Sequence, residues 1–141
     1  MDLRRARQTL LENDALSFAA VSGEKVITDD DYSLKPLLKL IDAHQSLVGY
    51  TAADRVVGKG GALLYVLLGA SAVYSPVMSK PALHILEQYG INADYDELVP
   101  MITAFAEDGI CPIEEAVEEI YSPERAENAI RLVVAKLVKA R

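Results

Sequence analysis

The chain has 141 residues, 51% hydrophobic and 25% charged, a balance that fits one globular domain spanning 1–141 with a sizeable core and excludes a disordered chain. Fourteen Lys and Arg against 21 Asp and Glu leave a net charge of −7, which speaks against nucleic-acid binding, since that usually needs a basic face. The single Cys111 rules out an internal disulfide and fits a reducing cytoplasm, and together with only two His it makes a dedicated zinc site improbable.

Residues 2–13 have the spacing of an amphipathic helix, with Arg4, Arg5 and Arg7 read as its solvated face. The N-terminal apolar stretch is too short and too charged for a signal peptide. Ser17 to Val21 and Lys25 to Thr28 are strand-like runs separated by Ser22-Gly23-Glu24, a hairpin signal. Asp29-Asp30-Asp31 breaks the second strand, and a helix follows with Ser33 and Pro36 near its start. Ser46 to Ala53 reads as a buried strand ending at Asp54.

The turn Asp54-Arg55-Val56-Val57-Gly58-Lys59-Gly60-Gly61 then runs into an apolar helix. From Ala62 to Val73 that apolar run is well short of the ~20 residues a membrane span needs, so no membrane association is expected. Ala72 to Met78 is a further strand, and Ser79-Lys80-Pro81 opens a helix that runs through Tyr89 and ends at Gly90. Asn92 to Tyr95 could pair as a short strand, with the chain turning helical from Asp96. Cys111-Pro112-Ile113-Glu114 has the grammar of a helix start, Pro112 at the first position and Glu114 as a capping-box acid. Ser122-Pro123-Glu124 repeats it for a last helix with an apolar face from Ala126 to Val138. The order predicts an α/β fold, a three-layer α-β-α sandwich whose mixed sheet begins with a hairpin.

Glycines let a backbone approach a partner closely, and a helix N-terminus offers free N–H groups to an anion. The Gly58-Lys59-Gly60-Gly61 turn is nevertheless no P-loop: the required upstream glycine is missing, and Gly60 follows Lys59 where Ser or Thr belongs. It also lacks the spacing of a dinucleotide fingerprint. Small residues that let a helix pack on the sheet are the plain reading. Against it stands Lys59, a cation in the first turn of an apolar helix, where it opposes the dipole and calls for an anionic partner, either Asp54 or a ligand. Cys111 stands at a helix start, where a thiol can become nucleophilic, but Glu107, Asp108, Glu114 and Glu115 disfavour thiolate and no His is adjacent. His44 and His84 read as ordinary helix residues, and the run Glu114, Glu115, Glu118, Glu119 as a solvated helix face.

Asp54 to Lys59 with its apolar helix, Val73-Tyr74-Ser75, Ser79-Lys80-Pro81-Ala82-Leu83 and Gly109-Ile110-Cys111-Pro112-Ile113-Glu114-Glu115-Ala116-Val117 together resemble a small prokaryotic family catalogued as domain of unknown function 1893. That family is similar to the cytidine deaminase-like fold. The resemblance implies a pocket at the helix starts and members that assemble. Zinc deaminases carry a His or Cys with a Glu two residues on at one helix start and Pro-Cys-x-x-Cys at the next. Neither Asp54 to Gly61 nor Ser79 to His84 holds these residues. The expected protein therefore uses no metal and no cofactor, and binds a small anionic or nucleotide-like ligand through Asp54, Gly58, Lys59, Gly60 and Gly61, with Cys111 and Glu114 as further candidates. An enzyme using Asp54, Lys59 or Cys111, and a structural module that forms a homo-oligomer, stay open beside it.

Overall fold

The computed structural model describes residues 2–31, 33–102 and 111–139, with side chains described to 136. The Gly109-Ile110 part of the expected helix start, Glu107 and Asp108 lie outside the described residues, as do the side chains beyond 136. The described chain is a mixed α/β fold of six helices and a six-stranded mixed sheet. In chain order these are α1 (Asp2–Leu11), β1 (Phe18–Ser22), β2 (Lys25–Asp29), α2 (Lys35–Asp42), β3 (Thr51–Asp54), β4 (Val56–Val57), α3 (Lys59–Leu68), β5 (Ala72–Ser79), α4 (Lys80–Gln88), β6 (Asn92–Val99), α5 (Pro112–Ala116) and α6 (Pro123–Lys139).

The hairpin forms as expected, with Ser22 opposite Lys25 across a turn in which Gly23 takes φ +58°. β1 also pairs antiparallel with β3, placing Phe18 opposite Asp54. From β3 onward the sheet is parallel: β5 pairs with β3 over Ala72–Tyr74, with β4 over Val77–Met78, and with β6 over its whole length. Ala72 and Val77 each have partners on both sides, so β3 and β4 share one edge of β5 and β6 takes the other. β6 is an outer strand whose residues Asp94, Tyr95, Asp96 and Glu97 are exposed.

Alternation along the strands sorts the core into two layers. Ala19 and Val21 of β1, Ala53 of β3 and Tyr74 of β5 pack with Ala6 and Leu10 of α1. Phe18, Ala20, Ala52, Val73 and Met78 face the other way, into a larger core built with residues of α2, α3, α4, α5 and α6. One helix thus covers one face and five cover the opposite face. α3 is the hub of the larger side: Ala62, Leu63, Leu64 and Tyr65 are fully buried. No helix among the described residues is long and apolar enough to cross a membrane.

Four expectations need correction. His44, read as a helix residue, lies past the end of α2 at Asp42 and takes φ +55°. Regular strand structure begins at Thr51, not Ser46, because Gly49 turns the chain at φ +83° and Leu47 donates its amide to Leu68 O at 2.9 Å. β6 continues as a strand through Asp96-Glu97-Leu98-Val99, where helix was expected. Pairing with Val77, Met78 and Ser79 of β5 outweighs the poor strand preference of the acidic residues. Finally, α5 ends at Ala116, so Glu118 and Glu119 lie beyond the helix rather than on its face.

Candidate functional site

Strand β5 delivers the chain to Ser79, whose Oγ caps α4 by accepting the Ala82 amide at 3.1 Å. β4 delivers it to Gly58, the extended N-cap of α3, which has no side chain to cap with. The cap for α3 comes from elsewhere. Glu114 of α5 places its carboxylate over the helix start, accepting the Lys59 amide at 2.6 Å and the Gly60 amide at 3.0 Å. Negative charge at this position also offsets the positive end of the helix.

Two of the glycines lie against this same α5 segment. A Cβ at Gly58 would meet the Glu114 carboxyl carbon at 2.5 Å, and one at Gly60 would meet Ile113 Cγ2 at 2.9 Å. At Gly61 the nearest atom to an added Cβ would be Leu34 Cδ2 at 3.4 Å. Glu114 and Ile113 of α5 thus press onto the turn at Gly58 and Gly60, whereas Gly61 has room for a Cβ. The sequence reading treated Glu114 as a capping acid for its own helix or as part of a solvated face. It caps another helix, and Cys111 at the N-cap of α5 makes no side-chain cap bond.

Lys59 is 6% exposed. Its ammonium group donates to Glu118 O at 2.8 Å and stands 3.8 Å from the centre of the Tyr121 ring. Burial pushes its pKa down, against a smaller upward pull from Glu114 and Glu118. The expected Asp54 partner is not used. Asp54 is 8% exposed and accepts a hydrogen bond from Tyr65 Oη at 2.7 Å, with the amides of Arg55 and Val56 as further donors. Desolvation lifts its pKa to about 7 in spite of these bonds. Arg55 turns away to the carbonyls of Leu10, Asn13 and Leu16 at 2.7, 3.0 and 3.0 Å, tying the loop after α1 to the break between β3 and β4.

Beside the two helix starts lies a cleft of about 460 Å³. Lys59 of α3, Lys80, Pro81, His84 and Ile85 of α4, Pro100 and Met101 after β6, and Glu114, Glu118 and Tyr121 line it. The structure therefore brings Lys59 and Glu114 to one cavity. It leaves Asp54 in a separate buried contact with Tyr65, and Cys111 half-buried against the larger core. Gly58 and Gly60 lie against Glu114, and neither they nor Gly61 line the cleft. Among the described residues, no three His, Cys, Asp or Glu side chains are grouped as a metal site would require.

The family model described as TM1506, domain of unknown function (DUF1893), matches residues 6–134. The chain belongs to the DUF1893 family. A crystal structure of a DUF1893 family protein (TM1506) from Thermotoga maritima is similar to this one over 96% of this chain and 90% of that one, with 32% sequence identity and a TM-score of 0.80. No curated protein matches the chain. What sequence reasoning about this DUF1893 chain missed are Lys80, His84 and Tyr121. Lys80 had a signal, for it is the first residue of α4 just as Lys59 is the first residue of α3. Tyr121 had none, since it reaches the cleft only through the packing of the segment between α5 and α6.

Proposed function

We propose that this protein binds a small anionic or nucleotide-like molecule in the cleft between the starts of α3 and α4. The observation that carries this reading is the convergence of Lys59, Lys80 and His84 on one cavity whose remaining lining is apolar apart from Glu118 and Glu114, the latter already taken up by the amides of α3. Concave sites with an apolar lining and a few placed polar groups are the usual form of small-molecule sites. The cleft also lies past the carboxyl end of β5, where open α/β sheets hold their ligands. The order of elements, a hairpin followed by alternating parallel strands and helices, supports a cytidine deaminase-like relationship. The helix starts that would hold zinc in such enzymes carry Gly58-Lys59-Gly60-Gly61 and Ser79-Lys80-Pro81, a set that does not fit that ion.

The test is a thermal-shift screen of nucleoside mono- and triphosphates, nucleosides and sugar phosphates. A ligand that binds only the folded chain raises its melting temperature in a concentration-dependent way. Stabilisation by at least one anionic member, abolished in Lys80→Ala, is the expected result. No shift with any of them at millimolar concentration would sink the reading.

A second reading rests on Lys59, whose burial lowers its pKa, as in lysines that act as amine nucleophiles. Such an amine would add to a carbonyl substrate and expel water to give an imine. Borohydride trapping with a phosphate-bearing aldehyde, followed by peptide mapping, would place the added mass on Lys59. Modification spread over surface lysines would rule this chemistry out.

A further inference from the structure

The cleft carries charged side chains of both signs. Lys80 and His84 are four residues apart on α4, so they stand on one face about one turn from each other. Both are exposed, and among the described residues neither has an ion-pair or hydrogen-bond partner. Lys80 sits at the first position of its helix, where its own charge and the helix dipole have the same sign. Lys59, Glu118 and Glu114 also line the cleft, Lys59 donating to Glu118 O and Glu114 already engaged by the two amides of α3. The rest of the lining is Ile85, which is buried, with Pro81, Pro100, Met101 and the half-open ring of Tyr121.

We propose that the cleft takes a phosphate monoester of a planar ring compound, with its phosphate at Lys80 and His84 and its ring among Ile85, Met101 and Tyr121. The proposal rests on the anion-binding reading of this cleft and narrows it. A phosphate oxygen cluster matches an ammonium and an imidazole N–H one turn apart on a helix, and charge-assisted bonds such as that from Lys80 are among the stronger ones. A second phosphate would need a further cationic donor, and the remaining lysine of the lining, Lys59, is buried and already donates to Glu118 O. A flat apolar group suits the remaining wall, because prolines, a methionine and an aromatic ring offer surface and few hydrogen-bond partners. A sugar would leave its hydroxyls unpaired there.

The experiment is a calorimetric titration of the full chain with phenyl phosphate, inorganic phosphate, pyrophosphate and glucose 6-phosphate. Phenyl phosphate is expected to bind about tenfold tighter than each of the others, and Lys80→Ala and His84→Ala are each expected to weaken it about tenfold. Both positions are exposed, so the melting temperature of each variant reports whether the fold is retained. Equal binding of phenyl phosphate and glucose 6-phosphate would overturn the ring assignment, and tighter binding of pyrophosphate would overturn the monoester assignment. Affinity unchanged in both variants would overturn the phosphate position. If phenyl phosphate does not bind but a member of the wider nucleotide and sugar-phosphate panel does, this inference fails and the broader reading stands. If none binds, both fail.

Discussion

Two helices of this fold begin in the same way and are finished differently. α3 and α4 each follow a strand, and each has a lysine as its first residue. At α3 the junction is sealed: Glu114 takes the first two amides, and Lys59 is buried beneath Tyr121 with a carbonyl partner. At α4 the cap is local, from Ser79, and Lys80 is left facing the cleft. A cation at a helix start is a liability that can be met from within the molecule or from outside it. The pair shows both solutions side by side. The glycine-rich turn that looks most like a ligand loop is the internally satisfied one, and the plainer Ser-Lys-Pro start is the open one.

The largest break in this comparison should come from removing the seal. Glu114→Ala leaves two helix-start amides without their charged acceptor and is expected to cost about 3–5 kcal/mol, measured by urea denaturation. Ser79→Ala, which removes the corresponding cap on α4, should cost nearer 1 kcal/mol. Equal costs would mean that the α3 junction is no tighter than the α4 one.

Next comes the buried acid behind the seal. The folded pKa of Asp54 is raised to about 7, above the ordinary carboxylate value, so the folded chain holds this proton where the unfolded chain has lost it. The stability this proton gives is fully present below about pH 4 and is lost as pH rises through about 7. Between pH 4 and pH 8 the wild type should therefore lose of the order of 2–4 kcal/mol relative to Asp54→Asn, which has no such proton to lose. Parallel pH profiles of the two chains would contradict the placement of Asp54.

Smaller again is the effect of Gly58→Ala, about 1–2 kcal/mol from the displaced Glu114 carboxylate. The diagnostic is a double-mutant cycle: in the Glu114→Ala background the same substitution should be close to neutral. Smallest is Lys80→Glu. With an acid in place of a cation at the helix start, it should stabilise the fold by about 0.5 kcal/mol while abolishing binding of anions in the cleft. A variant that loses stability there would show that Lys80 has a structural task like that of Lys59.

Helix starts were the most legible part of the sequence. Lys59, Lys80, Pro112 and Pro123 all begin helices close to where glycine, serine and proline signals place them. The hairpin was legible for the same reason, because turn chemistry is local. The second half of β6 was not. Asp96 and Glu97 favour other structures, and only the neighbouring strand β5 makes them extended. At the site, residue types pointed to Lys59 and Glu114 separately, but not to each other's company. They are 55 residues apart in sequence, and nothing in local spacing tells that a carboxylate on one short helix will cap another. Asp54 failed as a partner for Lys59 on the same ground. Proximity in sequence suggested an ion pair, while the strand directs the carboxylate to Tyr65.

The exposed acids of β6 have a bearing on how copies of the chain meet. An eight-residue outer strand, paired among the described residues only with β5, is a template onto which another strand could add. Here it carries Asp94, Asp96 and Glu97, on a chain whose net charge is −7. Two such edges brought together would repel one another, so charge guards this strand against fibre-like stacking. The guard is a matter of ionic conditions: concentrated salt or mild acid should weaken it, and turbidity after Asp94 and Glu97 are made neutral would show how much solubility this one strand provides.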